Sequence, residues 1–321
     1  MIEVRDVTKR FGMTVALDSV SFGLGEHEIL GFLGPNGAGK STAMKIITTF
    51  LAPDEGTVKV AGIDVLEQPL AVRGKIGYMP ESVPLYVDMS VQEYLDFVGR
   101  ARGLAGPRLR ERLDWVVQAC GLEAEFKKTI NELSKGYRQR TGLAQALIHD
   151  PEILILDEPT SGLDPLQIIE IRELIRSLGK AKTIIFSTHI LQEVSPVTDR
   201  VVVINAGRIV ADGRVGELEK RAMDSNRLFL TVKQDAATVA PALRNVAGVV
   251  SVAEAGAPRP GAARFEVRGS FDHDLPAAVS RLARERGWEL LELHESRYSL
   301  EDTFIALTRK TAAGKGVAHH G

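Results

Sequence analysis

Along the first two thirds of the chain, hydrophobic positions recur either at every second residue, as in strands, or at every third to fourth residue, as in helices. IEVRDVTKRF alternates like a half-buried strand, and SVSFGLGEHEILGFLG predicts a strand that runs into a glycine-rich loop. From about residue 89 to 150, apolar residues recur at helical spacing, as in LRERLDWVVQACG. From residue 151, apolar strands (ILIL, TIIFST) alternate with helical segments such as PLQIIEIRELIRSLG. This alternation predicts a parallel sheet with crossover helices, followed by a hairpin over VVVINAGRIVADG.

A second pattern follows a charged stretch that predicts a linker at residues 217–225. RLFLTV, VVSVAEAG, ARFEVRG and ELLELHE have the pattern of strands, whereas ATVAPALRNV and DLPAAVSRLARERG have the pattern of helices. Their order, β-α-β-β-α-β, predicts a small α+β domain of the ferredoxin-like type. We therefore expect a first domain at 1–216, a second at 226–310 that ends in the helix SLEDTFIALTRK, and a disordered tail at 311–321.

Composition narrows the class of protein. The net charge of −2 on 321 residues argues against a nucleic-acid partner. The single cysteine, Cys120, excludes an internal disulfide and fits a reducing compartment. The longest apolar runs, such as 153–156 and 201–204, are far shorter than the ~20 residues of a membrane helix, and the start of the chain lacks a signal-peptide core. If the protein works at a membrane, we expect another chain to span it.

The stretch GPNGAGKST matches the phosphate-binding pattern G-x-x-x-x-G-K-[ST] through Gly34, Gly39, Lys40 and Ser41. Glycines let successive backbone N–H groups turn towards an anion, Lys40 can reach the terminal phosphates, and the Ser41 hydroxyl can bind Mg²⁺. A glycine-rich turn that binds nothing would not explain why the flanking strand and helix also fit. The predicted nucleotide-binding positions are Gly34, Pro35, Asn36, Gly37, Ala38, Gly39, Lys40, Ser41 and Thr42.

Two acids end the apolar strand of ILILDEPTSGLD. Asp157 lies where a carboxylate beside the phosphate loop can hold Mg²⁺ through water. Glu158 is the candidate to orient or deprotonate the attacking water. The alternative is a strand end that carries two solvated acids.

Together with these motifs, LSKGYRQR (133–140) resembles the signature motif of the ABC transporter ATPases, which in its commonest form is LSGGQ. Ser134 and Gly136 keep the pattern, whereas Lys135 and Tyr137 depart from it. The resemblance implies a P-loop NTPase fold with a β-subdomain and a helical subdomain at about 84–140. It also implies that the signature contacts the γ-phosphate of ATP bound to a second subunit. Judged alone, Ser134 is more often only a helix cap.

Further motifs add to the resemblance and imply more site residues. Asp164 of SGLDP corresponds to the loop that crosses the dimer interface, and His189 to the family's γ-phosphate-sensing histidine. Phe11 stands where the family places an aromatic residue that stacks on adenine, although it could be an ordinary core phenylalanine. Glu81 in GYMPES replaces the glutamine that the family uses as a Mg²⁺ ligand. Either this carboxylate substitutes as the ligand, or its loop mainly signals to a membrane partner.

IGYMPESVPLYVDMSVQEYLDF and LSKGYRQRTGLAQALIHDPEILILDEPTSGLDP resemble the ATP-binding subunits of ABC-2-type exporters of the multidrug or gliding-motility type. The resemblance implies a homodimer that binds ATP and Mg²⁺, hydrolyses ATP with Glu158 and His189, and drives separate permease subunits at the cytoplasmic face of the membrane. VPLYVDMSV (83–91) is either the contact with those subunits or subdomain core. Two rival hypotheses are a nucleotide-gated clamp and a non-hydrolysing binding module, and for the C-terminal domain we expect bracing or regulation.

Overall fold

The computed structural model describes residues 1–190, 194–198, 200–222, 226–256, 261–270 and 272–296. The chain divides into two compact units, the first formed by Met1–Val215 and the second beginning at Gly216. The predicted last helix and tail, residues 299–321, lie outside the described residues. Within the described part of the chain, no helix is both long and apolar enough to cross a membrane.

The first unit contains strands β1 to β10 and helices α1 to α6, and α7 crosses its boundary. The strands are β1 (Ile2–Phe11), β2 (Thr14–Leu24), β3 (Ile29–Leu33), β4 (Glu55–Val60), β5 (Ile63–Asp64), β6 (Ile76–Met79), β7 (Ile153–Asp157), β8 (Thr183–Thr188), β9 (Arg200–Asn205) and β10 (Arg208–Arg214). The helices are α1 (Lys40–Ile47), α2 (Pro69–Lys75), α3 (Val91–Ala101), α4 (Gly106–Ala119), α5 (Lys135–Leu147), α6 (Pro165–Gly179) and α7 (Val215–Ala222).

The strands of this unit form two sheets. One is antiparallel, with the order β2-β1-β4-β5. The other has the order β10-β9-β3-β8-β7-β6, in which all neighbours are parallel except β10 and β9. The carboxyl ends of β3, β7 and β8 therefore meet at one edge, where ligands bind in open α/β sheets.

Helix α1 belongs to the core that joins the two sheets. Met44 and Ile47 of α1 are buried with Phe22 of the antiparallel sheet and with Phe32 and Ile155 of the parallel sheet. The rings of Phe22 and Phe32 lie 5.2 Å apart. Because the phosphate loop leads directly into α1, this packing fixes the loop at the sheet edge.

The predicted helical region contains α3, α4 and α5. Helix α3 begins with a capping box, in which the Ser90 hydroxyl accepts from the Glu93 amide and the Glu93 carboxylate accepts from the Ser90 amide. Helix α5 packs so closely on β6 that a Cβ on Gly77 would lie 2.1 Å from the Ala146 carbonyl oxygen. This close approach couples the helical region to the edge of the parallel sheet.

The second unit contains β11 (Asn226–Val232), α8 (Ala236–Arg244), β12 (Val249–Glu254), β13 (Ala263–Gly269), α9 (Leu275–Glu285) and β14 (Leu290–Ser296). Its sheet has the order β12-β13-β11-β14, and all neighbouring strands are antiparallel. Leu230 and Phe265 of the sheet share a separate core with Val239 of α8 and Val279 of α9. The element order is the β-α-β-β-α-β order expected from the sequence.

Candidate nucleotide-binding and catalytic site

The phosphate loop connects the end of β3 to the start of α1 and has a backbone that requires glycine. Gly39 has a φ of +110°, and a Cβ there would lie 2.6 Å from the Ala16 carbonyl oxygen. A Cβ on Gly34 would lie 2.5 Å from the Ile204 carbonyl oxygen. The glycines therefore allow the loop to approach neighbouring backbone closely, and the Gly34 amide donates to the Thr188 carbonyl oxygen at 3.4 Å.

The Lys40 side chain folds back over this loop. Its ammonium donates to the carbonyl oxygen of Gly34 at 2.8 Å and lies 3.4 Å from that of Pro35. Only 6% of the side chain is exposed. The loop thus holds a buried positive charge against its own carbonyl oxygens, where a bound phosphate can take it over.

Asp157, the last residue of β7, is fixed by the neighbouring strand. It pairs in register with Ser187 of β8, and the Ser187 hydroxyl donates to its carboxylate. The same hydroxyl accepts from the Glu158 amide at 3.1 Å. Ser187 was not predicted as a functional residue, although it lies in the quoted strand TIIFST, two residues before His189. One serine therefore orients both predicted acids.

Glu158 joins the lysine of the phosphate loop to the predicted histidine. Its Oε1 atom lies 3.2 Å from the Lys40 ammonium, an ion-pair distance without hydrogen-bond geometry, and its Oε2 atom lies 2.9 Å from His189 Nδ1. The Glu158 backbone has a φ of +51°, which is uncommon for a residue with a side chain. Gln139 donates to its carbonyl oxygen at 3.3 Å. Such a conformation, held by several neighbours, is typical of functional sites.

The three predicted metal ligands, Ser41, Glu81 and Asp157, line one cavity of about 720 Å³. A hydroxyl and two carboxylates are the oxygen donors that Mg²⁺ prefers, so these residues fit the ion. Tyr78 also lines the cavity, where burial and the charge of Asp157 raise the pKa of its hydroxyl. Arg102, which also lines the cavity, has a lowered pKa because it is partly buried and lies near Arg73.

Three further predicted site residues, Ser134, Asp164 and Phe11, are exposed, whereas Gly136 is buried within the first turn of α5. The Ser134 hydroxyl caps α5 by accepting from the Tyr137 amide at 3.4 Å, and the Asp164 carboxylate caps α6 by accepting from the Gln167 amide at 2.9 Å. Both residues therefore have a structural role within the chain. Phe11, at the end of β1, is 49% exposed and is no core residue. Its ring remains accessible to a planar ligand.

The structure thus brings Lys40, Asp157, Glu158 and His189 together and lines one cavity with the predicted Mg²⁺ ligands. At the tip of the loop, Asn36 and Gly37 are exposed. The individual roles of the site residues stay predictions. A loop that presents its amides, a buried lysine and two oriented acids at the carboxyl edge of a parallel sheet defines a P-loop nucleotide triphosphatase.

Comparisons with known proteins identify the family. Residues 17–161 match the family profile described as ABC transporter. The daunorubicin resistance ATP-binding protein DrrA3 of Streptomyces coeruleorubidus is 34% identical over 310 residues, which cover 96% of this chain and 95% of that protein. The linearmycin resistance ATP-binding protein LnrL of Bacillus subtilis (strain 168) is 31% identical over 97% of this chain and 99% of that protein. A dimeric bacterial ABC transporter cassette, MJ0796, aligns with a TM-score of 0.63 and 27% identity over 67% of this chain and 98% of that chain.

The chain therefore belongs to the ATP-binding proteins of ABC transporters, and the predicted ABC ATPase fold is confirmed. One structure of MJ0796 holds ADP and Pi in a post-hydrolysis state, with a TM-score of 0.62 and 26% identity. The chain is an ATPase subunit of the exporter type, as the sequence predicts. None of these relatives favours the rival hypothesis of a clamp that acts without transport.

Proposed function

We propose that two copies of this chain bind two ATP molecules between them, and that hydrolysis drives a membrane permease of the ABC-2 type. The observation that carries this proposal is the cluster of Lys40, Glu158 and His189. The same chain also has the exposed Ser134 and the buried Gly136 at the start of α5. Each chain thus has both halves of a composite site, so a homodimer would contain two equivalent sites.

The phosphate loop and Phe11 bind the nucleotide. The backbone N–H groups of the phosphate loop other than those of Gly34 and Ala38, together with the Lys40 ammonium, hold the β- and γ-phosphates. The exposed Phe11 ring stacks on adenine. The Lys9 ammonium lies 5.7 Å from the centre of that ring and pairs with Asp54 at 2.8 Å. Ser134 and Gly136 of the other copy contact the γ-phosphate, so that ATP joins the two copies.

Ser41, Asp157 and Glu81 would hold Mg²⁺ in the cavity that they line. When bound there, Mg²⁺ neutralises the charge that develops on the phosphate oxygens. Glu81 adds a carboxylate where the family has a neutral amide. A third oxygen ligand of this kind suits Mg²⁺ and strengthens its retention by the protein.

Glu158 acts as the general base, and His189 and Ser187 hold it in place. One Glu158 oxygen accepts a proton from the attacking water as the water oxygen bonds to the γ-phosphorus and the bond to the ADP oxygen breaks. His189, which contacts the other carboxylate oxygen, orients the base and reaches towards the γ-phosphate. The Lys40 ammonium stabilises the negative charge on the transferred group. Loss of the γ-phosphate removes the contacts that join the two copies, which then separate.

The segment 83–91 is the contact with the permease. Tyr86 is 55% exposed and Val87 is 43% exposed, whereas Val91 at the end of the segment is buried, so the middle of this segment is accessible to a partner. The Tyr86 ring packs edge-on against Tyr94 and Phe97 of α3, which makes an aromatic surface close in sequence to Glu81. A helix of the permease that packs here would sense the state of the ATP site at the cytoplasmic face of the membrane. The names of the two resistance proteins support export as the direction of transport.

The test combines ATP hydrolysis with light scattering on a size-exclusion column. We expect Glu158→Gln to lower the turnover rate by about 10²- to 10⁴-fold and to trap a dimer in ATP and Mg²⁺. The matched control is Glu123→Gln, which removes an exposed acid of the helical region and should behave as wild type. A variant that hydrolyses ATP at the wild-type rate would show that Glu158 is not the base. A variant that is inactive yet monomeric in ATP would contradict the composite site.

A further inference from the structure

Lys135, where the signature motif departs from its commonest form, contacts the segment SGLDP within the same chain. We propose that Lys135 is a positioning residue of the composite ATP site. Its side chain holds SGLDP against the first turn of α5, so that Ser134 and Asp164 meet the nucleotide of the other copy as one rigid surface. This inference rests on the composite site proposed above and assigns a function to a residue that the signature pattern leaves unexplained.

The contact is made between the outer half of Lys135 and the backbone of Gly162. A Cβ on Gly162 would lie 1.9 Å from the Lys135 ammonium, 2.8 Å from its Cε atom and 3.2 Å from its Cδ atom. Gly162 also has a φ of +70°, a conformation that disfavours any side chain. The ammonium and the outer carbons of Lys135 therefore occupy the place of a missing side chain, two residues before Asp164.

The next residue of the signature makes a second contact with the same region. A Cβ on Gly136 would lie 2.4 Å from the Oε1 atom of Gln167, in the first turn of α6. The backbone N–H of Gln167 in turn donates to the Asp164 carboxylate at 2.9 Å. Lys135 thus contacts Gly162, which precedes Asp164 in the chain, and Gly136 contacts Gln167, which follows it.

Helix stability does not explain a lysine at this position. Lys135 is the first residue of α5, where its positive charge faces the positive end of the helix dipole. Packing against Gly162 gives the residue a role that offsets this unfavourable position. Because the end of the side chain and its outer carbons together fill this place, we expect an uncharged side chain of similar length to keep most of the contact.

The test measures ATP-driven dimerisation in a Glu158→Gln background, where hydrolysis does not interfere. We expect Lys135→Ala to raise the ATP concentration for half-maximal dimerisation about tenfold, because the segment loses its support. Lys135→Met and Lys135→Arg keep a long stem and should stay within about threefold of the parent. Lys127→Ala, an exposed lysine of the same subdomain, is the matched control. The affinity of the monomer for ATP and its melting temperature should not change, since a merely structural role would alter the melting temperature.

Two results would overturn the proposal. If Lys135→Ala dimerises like the parent, the contact with Gly162 has no role. If dimerisation of Lys135→Met is weakened as much as that of Lys135→Ala, the Lys135 ammonium itself binds the phosphates of ATP, and the side chain does not position the segment SGLDP. A parent Glu158→Gln that stays monomeric in ATP would instead contradict the composite site, and the inference with it.

A double-mutant cycle with Gly162→Ala gives an independent check. The new methyl group would displace the Lys135 ammonium, so Gly162→Ala alone should impair dimerisation. Adding Lys135→Ala should then cause no further loss, because the contact is already broken. Losses that multiply would show that the two residues act independently and would contradict the proposal. If Gly162→Ala does not fold, the Lys135 series decides the question alone.

Discussion

The ion pair between Lys40 and Glu158 predicts that the catalytic acid opposes ATP binding. Oε1 of Glu158 lies 3.2 Å from the Lys40 ammonium, and both side chains are 6% exposed. An incoming γ-phosphate must take over this ammonium and lie beside the Glu158 carboxylate. We therefore expect Glu158→Gln to bind ATP more tightly than wild type. The affinity for ADP, which has no γ-phosphate, should rise much less in this variant.

The magnitude follows from the geometry of the pair. Two unit charges 3.2 Å apart attract by about 5 kcal/mol at an effective dielectric constant of about 20. Desolvation of the two buried charges offsets most of this attraction. A net change of about 1–2 kcal/mol remains, which corresponds to an ATP affinity about 5- to 30-fold higher in the variant.

The assay is displacement of a fluorescent nucleotide from the monomer. Ser134→Arg is added to wild type and variant alike, so that dimerisation does not contribute to the measured affinity. The decisive quantity is the ratio of the ATP and ADP dissociation constants, with Glu123→Gln as the control for the loss of an acid. If Glu158→Gln changes the two constants by the same factor, the effect does not arise at the γ-phosphate. An ATP affinity that falls would refute the reasoning outright.

Three further predictions concern single residues. Phe11→Ala should raise KM for ATP about fivefold and leave kcat unchanged, because about 1 kcal/mol of stacking on adenine is lost. Phe11→Tyr, which keeps an aromatic ring, is the control. An unchanged KM in Phe11→Ala would exclude stacking. Burial raises the pKa of the Cys120 thiol to about 12, so the native protein should not react with a thiol reagent at pH 8 until guanidinium unfolds it; rapid native labelling would show an open core. Burial, with Arg102 nearby, lowers the pKa of His149 from 6.5 to about 4. The unfolded chain therefore takes up a proton before the native state does, and stability should fall by about 1–3 kcal/mol as the pH drops through that window. Denaturant titrations at several pH values give the free energy of unfolding, which should fall with decreasing pH more steeply in wild type than in His149→Gln. An equal pH dependence in the two proteins would refute the prediction.

Local patterns predicted most of the fold. The runs ILIL and TIIFST specify β7 and β8 by themselves, and the helical period specifies α3 to α6. Two elements, α2 and β6, were not predicted because they are short. Helix α2 (Pro69–Lys75) has seven residues, and β6 (Ile76–Met79) has four, ends before Pro80 and contains a glycine. The position of β6 depends on packing against β7 and α5, and that of α2 on contacts with β5 and β6, which no local pattern encodes.

The site was predictable in its residue types, whereas its contacts depend on tertiary structure. The motifs identified Lys40 and Glu158 separately, but their ion pair arises because β3 and β7 both flank β8. The role of Ser187 follows from its register opposite Asp157. Exposure of Phe11 excluded the alternative of a core residue, which the sequence had left open.

The measurement that tests the central claim most directly is complementation between two inactive variants. Lys40→Ala removes the phosphate-loop lysine, and Ser134→Arg blocks the signature, so each variant alone should not hydrolyse ATP. A mixed dimer contains one intact site, built from Lys40 of one chain and Ser134 of the other. If the variants pair at random, an equal mixture should recover about a quarter of the wild-type rate. A mixture that stays inactive, although the mixed dimer is shown to form, would contradict a site shared between two chains.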